Sequence, residues 1–587
     1  MHEPVHCVTI PAIRVFSLWG SMVSGGGTQH WVLIETGANQ AYIFDTNRLR
    51  HAAGASQLVR ELGVTWVPAA ATSRGARVVL AISGKALLLV DDLATGRAVI
   101  GDVSDLALQK APGLEVTGVV GPGFDPALAW LPPEHADPAT GSGRPFTHVE
   151  ALASTYDVLD LARAARPSAH LRDPLLPWFE VCRDSGLPAA GNEDHADGQQ
   201  AAAPVLAKAR QRHQARDRML ELLADVAHVV PANLDELRHD GWIAVIHADG
   251  NGVGQVFTDF PRRAWQVTQE TDGTSGGLGL EQHAELLRAF AYELDLATET
   301  ALGIAVRQAT ADQDAHDTIL PVVVGGDDVT IACNARFALG LAREFGLAFE
   351  EQTAAQPNLA AIIAAGQTGS STGEHAPGRT GSTPRLTAAA GIAYIKPHHP
   401  FSSAYALAED LTASAKRVKQ VGEYEVSALD LHVAFESTLA DLADLRLHLA
   451  VDGLPRHGGP YVITAEDSPA VGRRDIAELD RTMRTVSALS SSMAHDLREG
   501  LATGPAEYSQ RLHRAQSADL PEGLHPDDIR HLRPRPAGDD DQQEEDTGDE
   551  RIVRLLDALL LNAIARPSPG APHAPEEAEA AGSGVSA

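Results

Sequence analysis

Two aspartates lie side by side in the segment 321–332, PVVVGGDDVTIA, between two runs of β-branched residues. Such runs favour extended structure, and adjacent glycines permit the positive φ angles of a tight hairpin. Asp327 and Asp328 are therefore predicted at the exposed tip of a β-hairpin that turns at Gly325 and Gly326. Neighbouring carboxylates repel each other unless a cation neutralises them, and Mg²⁺ prefers oxygen ligands. An acidic turn without a metal would have the same sequence, because Gly and Asp are common in turns.

A second acidic strand end lies upstream, in residues 241–254, GWIAVIHADGNGVG. The apolar run predicts a buried strand that ends at Asp249, and the glycines that follow allow the N–H groups of residues 250–252 to face a phosphate. The order strand, Asp249, glycine turn, helix and acidic hairpin would bring three carboxylates to neighbouring strand ends. Two cations held there could activate a hydroxyl group and neutralise a triphosphate, as in nucleotidyl transfer. Taken alone, Asp249 could also be an ordinary turn residue.

The N-terminal part of the chain is predicted to repeat this order of elements, β-α-β-β-α-β, which is the ferredoxin-like plan. At the hairpin position of this repeat, Ser83, Gly84 and Lys85 stand in place of the acidic pair. Without carboxylates there, the unit is predicted not to hold two Mg²⁺ ions, and a purely structural α/β domain fits the same pattern. The predicted elements are strand hairpins at 31–45 and 77–90, helices at 47–63 and 104–113, and a final strand at 114–121.

The segment 390–416, AGIAYIKPHHPFSSAYALAEDLTASAK, makes the pattern specific. Together with the upstream ADGNG and GGDD sequences, it resembles the second palm domain of the large polymerase/cyclase subunit of type III CRISPR effector complexes, and more distantly the GGDEF diguanylate cyclases. The resemblance extends from Trp242 to about Asp430, and residues 42–56 resemble the family's inactive first palm. It implies an α+β multidomain fold with two ferredoxin-like palm domains, a helical insert and a C-terminal helical domain. It also implies ATP as substrate, Mg²⁺ or Mn²⁺ as cofactor and cyclic oligoadenylates as product.

The resemblance assigns roles to individual residues of this chain. Lys416 matches a lysine that contacts a triphosphate in such cyclases, although a solvated helix lysine would also fit. Asn251 stands where the family often has a second acidic residue, which could lower the metal affinity. His398 and His399 are interpreted as structural, because adjacent strand residues cannot face one metal. The implied catalytic and metal-binding residues are Asp249, Asp327 and Asp328, and the implied nucleotide-binding residues are Gly250, Asn251, Gly252, Gly325, Gly326 and Lys416.

A chain of 587 residues exceeds one hydrophobic core, so several domains are expected. Cys182 lies where relatives carry a Cys-x-x-Cys zinc knuckle, but Ser185 replaces the second cysteine, so no structural zinc is predicted. The apolar residues between Ile476 and Leu497 recur at helical spacing and predict an amphipathic face. The predicted domains are an inactive palm-like domain at 1–125, a helical linker with the degenerate knuckle at 126–232, the active palm with GGDD at 233–430, a C-terminal helical domain at 431–532, and an acidic, largely disordered tail with one short helix at 533–587.

The composition narrows the functions that this chain can have. A net charge of −31 argues against non-specific nucleic-acid binding, which depends on Lys and Arg. The basic stretch 208–218 is interpreted as a solvated helix face, so RNA contact would need a partner subunit or another local basic surface. Three widely separated cysteines and the lack of an apolar run of about 18 residues predict a cytoplasmic protein without disulfide-linked partners or membrane contact. The His-Asp dipeptides that begin at residues 239, 316 and 495 are scattered, so no HD nuclease domain is expected.

Two classes of function remain open. The first is an ATP-dependent nucleotidyltransferase of CRISPR-type antiviral defence signalling, which makes cyclic oligoadenylates by a two-metal mechanism and has effector subunits, guide RNA and target RNA as partners. The second is a non-catalytic subunit that binds ATP as a scaffold of an RNA-guided effector complex. A dimeric diguanylate-type cyclase is disfavoured, because a first palm in the same chain replaces the dimer mate.

Overall fold

A computed structural model describes most of residues 27–565 and has an α+β fold. The two main sheets have four and six strands, and two short ribbons have two strands each. The larger sheet is mixed, since one of its strand pairs is parallel, and the predicted α+β class is confirmed. No helix within the described ranges is long and apolar enough to cross a bilayer. Within 27–565 the structure does not describe residues 47, 136–143, 167–175, 194–198, 224–236, 238–240, 273–275, 311–317, 369–382, 419, 422–423, 436–441, 450–456, 464–474 and 518–547. Cys7, the His-Asp dipeptides that begin at residues 239 and 316, and most of the acidic run at 539–550 therefore lie outside the described residues.

The N-terminal unit is built on the four-stranded sheet. Its elements are β1 (Gln29–Gly37), α1 (Asn39–Phe44), α2 (Leu49–Glu61), a π-helical turn (Leu62–Trp66), α3 (Val67–Arg74), β2 (Arg77–Ile82), β3 (Lys85–Val90), α4 (Leu93–Lys110) and β4 (Glu115–Phe124). The strands pair in the order β2-β3-β1-β4, and every pair is antiparallel. Gly84, with a φ of 70°, makes the predicted turn between β2 and β3.

One predicted hairpin of this unit is wrong. Residues 31–45 contain one strand and then helix α1, not two strands. Ala38 adopts the left-handed conformation, with a φ of 50°, at the junction between them. Tyr42, Ile43 and Phe44 are consecutive and all buried. A short apolar run does not distinguish a buried helix from a strand by its periodicity, so the tertiary contacts of these side chains decided for the helix.

The segment that follows contains two long helices and a small ribbon. The basic stretch lies on the second helix, where Lys208 is only 1% exposed and its Nζ atom lies 4.5 Å from the centre of the Tyr42 ring. Burial lowers the pKa of Lys208 to about 8. Arg218 of the same helix pairs with Glu299 at 3.0 Å, so a fully solvated basic face is wrong for these two residues. Cys182 is a buried thiol beside the ribbon. The elements are α5 (His148–Ala164), β5 (Ala189–Asn192), β6 (Gln200–Ala202) and α6 (Ala203–Leu222).

The second unit is built on the six-stranded sheet. Its elements are β7 (Ile243–Gly250), α7 (Val253–Thr258), α8 (Phe260–Asp272), α9 (Leu280–Thr310), β8 (Ile319–Gly325), β9 (Asp328–Asn334), α10 (Ala335–Ala355), α11 (Pro357–Thr368), β10 (Ala388–Ile395), α12 (Phe401–Ala415), the ribbon β11 (Gln420–Val421) and β12 (Tyr424–Glu425), β13 (Ser427–Val433), α13 (Leu442–Leu449) and β14 (Tyr461–Ile463). The sheet has the strand order β14-β13-β10-β7-β9-β8. Strand β7 is thus central, and the hairpin β8–β9 lies at one edge.

Four helices complete the described chain: α14 (Ile476–Ser487), α15 (Ser491–Thr503), α16 (Pro505–Ser517) and α17 (Gly548–Ala565). The amphipathic face predicted over 476–497 is divided between α14 and α15, because Ser490 caps the second of these helices. Helix α17 is the helix predicted within the acidic tail. Its Leu555 and Leu559 are buried in the same core cluster as Leu479 of α14.

Asp557 of α17 makes the stability of this helical region depend on pH. Its Oδ2 atom accepts hydrogen bonds from the Tyr461 hydroxyl at 2.6 Å and the Gly458 N–H at 2.8 Å, and burial raises its pKa to about 7. A carboxyl group whose pKa is raised by folding contributes its stability at low pH and loses it as the pH rises through about 7. The folded state should therefore lose up to roughly 4 kcal/mol between the protonated and ionised limits. Asp557→Asn keeps the acceptor oxygen, so the thermal unfolding midpoint of the variant should fall less from pH 6 to pH 8 than that of the unmodified protein; equal decreases would contradict this assignment.

The two units contact each other beside the acidic hairpin. Arg288 of α9 donates to the carbonyl oxygens of Val78 and Val79 on β2, at 2.9 and 3.0 Å. Next to this contact the turns of the two hairpins approach each other: a Cβ atom placed on Gly325 would lie 3.4 Å from the Cβ atom of Ser83. The hairpin of the first unit thus borders the acidic hairpin of the second.

Candidate active site

The register of the central strands brings two of the predicted carboxylates together. Strands β7 and β9 are antiparallel neighbours, and Asp249 near the end of β7 is paired with Asp328 at the start of β9. Directly paired residues on one face of a sheet have Cβ atoms about 5 Å apart. Two residues far apart in the sequence therefore share one sheet edge.

Asp327 enters the same cluster from the hairpin turn. Gly326 adopts a φ of 63°, and the carbonyl oxygen of Asp327 accepts a hydrogen bond from the Gly250 N–H at 3.2 Å. The Asp327 side chain lies over Gly250, because a Cβ atom at position 250 would be only 2.8 Å from the Cβ atom of Asp327. The Asp327 carboxyl group is close enough to Asp249 for the charge of Asp249 to raise its pKa. The absence of a side chain at residue 250 is what lets the three carboxylates meet.

Helix α9 packs against the turn of the acidic hairpin. The prediction that both aspartates are exposed is therefore wrong. Asp327 and Asp328 are both half-buried. The Gly326 N–H donates to Asp295 Oδ1 at 2.9 Å, and Thr298 Oγ1 donates to the Gly326 carbonyl at 2.5 Å. Asp295 and Thr298 belong to the long helix α9, which packs behind the turn. No motif in the sequence pointed to either residue.

Burial and the repulsion of neighbouring carboxylates raise the pKa values of Asp327 and Asp328. Burial, followed by the charge of Asp249, raises the pKa of Asp327 to about 7. Burial and the charges of Asp249, Asp327 and Glu409 hold the pKa of Asp328 well above its usual range. Glu409 was not singled out from the sequence, although it precedes Lys416 by two turns of α12 and so lies on the same helix face. The cluster therefore contains an excess of negative charge that a cation would relieve.

Lys416 contributes a positively charged side chain to the acidic cluster. It follows the last residue of α12, and its Nζ atom pairs with Asp249 Oδ2. Its side chain is 33% exposed and that of Asp249 is 28% exposed, so the pair borders solvent. The lysine lies in the acidic cluster, whereas its contact with a triphosphate remains a prediction.

The backbone N–H groups after Asp249 are already used inside the protein. That of Gly250 donates to Asp327, and that of Asn251 donates to the Thr387 carbonyl at 2.7 Å. Asn251 Nδ2 also donates to Thr387 Oγ1 at 3.0 Å. The glycine-rich turn therefore does not direct these two N–H groups to a phosphate, and the nucleotide-binding role of this turn remains a prediction.

The donor atoms of the cluster fit a hard divalent cation. Asn251 Oδ1 is buried without a hydrogen-bond partner, as expected of an oxygen that binds a ligand. Asp328 Oδ1 is also buried without a hydrogen bond, although His247 Nδ1 lies 3.3 Å from it. All the donors are oxygens, as Mg²⁺ and Mn²⁺ prefer. Within the described residues no three His, Cys, Asp or Glu side chains stand ready in a metal-binding arrangement. Lys416 pairs with Asp249 Oδ2, so binding of a cation to that oxygen would require Lys416 to move away.

Comparisons with known proteins find several similar solved structures and one matching family model. A crystal structure of Csm1 from T. onnurineus is similar over 92% of this chain and 70% of its own, with 12% identity and a TM-score of 0.45. A Csm1-Csm4 cassette in complex with cA4 covers the same shares, with 12% identity and a TM-score of 0.44, and one in complex with pppApA does so with 11% and 0.45. No curated protein matches the chain. Residues 242–422, which contain the whole acidic cluster, match the family model described as Cas10/Cmr2, second palm domain.

Proposed function

We propose that this chain is an ATP-dependent nucleotidyltransferase that makes cyclic oligoadenylates for CRISPR-type antiviral signalling. The observation that carries the proposal is the convergence of Asp249, Asp327 and Asp328 at neighbouring strand ends, beside Lys416. Carboxylates from separate strands with a nearby lysine are the parts that phosphoryl-transfer sites need. The Cas10/Cmr2 second palm domain supports the same reaction.

The strand orders support two ferredoxin-like palms in one chain. In each unit the fourth strand of the β-α-β-β-α-β order lies beside the first, followed by the third and the second. The second unit extends this arrangement by β13 and β14. Because its hairpin carries Ser83 and Gly84, the first palm is the inactive one, and it closes one side of the cleft. The proposed domain limits are 1–125, 126–232, 233–430, 431–532 and 533–587, although β13 crosses the limit at residue 430 and β14 lies beyond it.

In the proposed reaction the three aspartates would hold two Mg²⁺ or Mn²⁺ ions. Such ions would acidify the attacking 3′-hydroxyl group and neutralise part of the charge of the triphosphate. Lys416 exchanges its carboxylate partner, Asp249, for the triphosphate oxygens and stabilises the charge of the leaving pyrophosphate. The helix α9 contacts keep the hairpin in place, so the carboxylates are oriented before ATP binds.

The proposed partners are the subunits of a CRISPR effector complex with guide and target RNA. The net charge of −31, together with the burial of Lys208 and the pairing of Arg218, favours RNA contact through partner subunits rather than through this chain alone. The similar Csm1 chains occur in cassettes with Csm4, which supports a partner subunit here.

The test is incubation of the purified chain with labelled ATP and Mg²⁺ or Mn²⁺, with and without its complex partners and target RNA. Oligoadenylates and pyrophosphate are expected. The alternative function, a scaffold that binds ATP without turnover, is favoured by the Lys416 and Asp249 pair, which closes the cluster without a metal. Saturable ATP binding with neither product, in the complete complex, would establish the scaffold and exclude the enzyme.

Gly250 provides a second test of the carboxylate geometry. In Gly250→Ala the new methyl group would lie 2.8 Å from Asp327 Cβ and 2.9 Å from Val253 Cγ2, so the Asp327 side chain must move. Overpacking costs about 1–3 kcal/mol, which a domain of this size tolerates. We expect product formation to fall roughly tenfold or more, measured as initial rates beside thermal unfolding. In the control Gly254→Ala nothing lies within 4 Å of the new methyl group, and its rate should not change. Equal rates for both variants would show that the position of Asp327 is unimportant.

A further inference from the structure

His247 is buried behind the acidic cluster and contacts one of its carboxylates. It lies on β7, and its residue is only 5% exposed. Its Nδ1 atom is 3.2 Å from Thr330 Oγ1 and 3.3 Å from Asp328 Oδ1. With the proton on Nδ1, the ring can donate to either oxygen. Nothing in the sequence distinguished this histidine from the other apolar-strand positions of β7.

The partner atom of this contact is the buried oxygen of Asp328. The Asp328 side chain is 39% exposed, whereas its Oδ1 atom is buried and has no completed hydrogen bond, so the exposed surface belongs to its other atoms. A hydrogen bond from His247 Nδ1 to Oδ1 would fix the carboxylate and leave its second oxygen for a cation. Ligating groups are usually oriented by such an outer partner, and loss of that partner typically weakens metal binding or activity by about 10–100-fold.

The His247 ring packs against Tyr405 of α12, and Tyr405 in turn contacts the first unit. The Tyr405 ring packs edge-on against it, with the ring centres 5.3 Å apart. Tyr405 stacks on Phe44 of α1, with the ring centres 3.7 Å apart. The backbone carbonyl of His247 accepts a hydrogen bond from Thr412 Oγ1 at 2.8 Å. The orientation of the imidazole is therefore set by α12 and by the first unit together.

We propose that His247 is a positioning residue for Asp328, and that Tyr405 orients it from the interface between the two units. The inference rests on the proposed function and extends it, because it makes the seating of the first unit a condition for the geometry of the metal-binding carboxylate. A partner that shifts α1 against α12 would change cation binding through Tyr405 and His247.

The test measures Mn²⁺ binding by electron paramagnetic resonance together with the kcat and KM for ATP of the full chain in its complex. His247→Leu removes the donor, and His247→Asn returns an N–H group near the place of Nδ1. We expect His247→Leu to weaken Mn²⁺ binding about 10–100-fold and to lower kcat with little change in KM. His247→Asn should recover most of the loss. The matched control replaces His432, a histidine of β13 in the same sheet, by leucine. The His432→Leu variant should bind Mn²⁺ as the unmodified protein does.

A double-mutant cycle tests the second link. If Tyr405 acts through His247, Tyr405→Leu should weaken Mn²⁺ binding in the unmodified protein and have no further effect in His247→Leu. Unchanged Mn²⁺ binding in His247→Leu, equal weakening in His432→Leu, or additive effects in the double variant would overturn the inference. Mn²⁺ binding that also survives Asp327→Asn/Asp328→Asn would overturn the proposed metal centre itself, so the two failures give different results.

Discussion

Asp327→Asn/Asp328→Asn should lower oligoadenylate formation by at least about 10³-fold, because it removes several kcal/mol of charge stabilisation at the transition state. The amide groups keep the size of the side chains but cannot hold a divalent cation as carboxylates do. Folding should not suffer. Burial and repulsion raise the pKa values of both groups, so neutral side chains relieve a cost in the folded state. The thermal unfolding midpoint of the variant should therefore be equal to or above that of the unmodified protein when no metal is present.

The control is an adjacent aspartate pair in the first unit. Asp91 accepts from Gln29 at 3.1 Å, and Asp92 caps α4 by accepting from the Thr95 N–H at 2.9 Å. Asparagine is an equally good helix cap, so Asp91→Asn/Asp92→Asn should retain full activity. Initial rates of pyrophosphate release and melting curves of both variants complete the measurement. A hairpin variant that is active, or inactive only because it melts early, would contradict a metal-binding role of the acidic pair.

Lys416→Met should lower kcat/KM for ATP about 10²-fold while leaving Mn²⁺ binding intact or stronger. A positioned charge at a developing negative charge is worth about 10²–10³-fold in rate. The lysine also competes with any cation for Asp249 Oδ2, so its removal frees that oxygen. If Lys416 contacts the triphosphate, kcat/KM falls while Mn²⁺ binding is kept or strengthened. If the lysine forms only a structural ion pair, its loss would weaken both kcat/KM and Mn²⁺ binding.

The matched control is Lys396→Met. Lys396 follows the end of β10 that is farthest from Asp249. Lys396 lies 3.8 Å from the centre of the Trp242 ring and is remote from the acidic cluster. Its replacement should change neither kcat/KM nor Mn²⁺ binding, which are measured by the same steady-state assay and resonance titration. Should Lys416→Met retain its full rate, Lys416 has no role at the triphosphate and serves only to neutralise Asp249.

Much of the candidate site was predictable because its acidic residues lie at the ends of strands that the sequence predicts. The apolar runs before Asp249 and around Gly325 and Gly326 predict strands, and strands β7, β8 and β9 form at these places. The acidic residues lie at those strand ends, where the order of the elements predicts their meeting. A turn that requires a positive φ angle favours glycine, and Gly326 meets this requirement with a φ of 63°.

The supporting residues could not be predicted in the same way. Asp295 and Thr298 contact the hairpin only because α9 packs behind it, and Tyr405 reaches His247 only because α12 crosses β7. Such contacts depend on the packing of helices on the sheet, which leaves no local pattern in the sequence. Lys208 shows the same limit of sequence-based prediction. It belongs to a basic stretch that is typical of a solvated helix face, yet its side chain is buried in the core.

The sequence by itself determined the strands and the glycine turn of the acidic site and the acidic residues at their ends, because each depends on the local conformational preferences of a few neighbouring residues. Only the tertiary structure decided the strand register that pairs Asp249 with Asp328, the burial that raises the pKa of Asp327, and the contact of the first unit with Tyr405. These features arise from packing between residues that are distant in the chain, where the burial of side chains outweighs local preference.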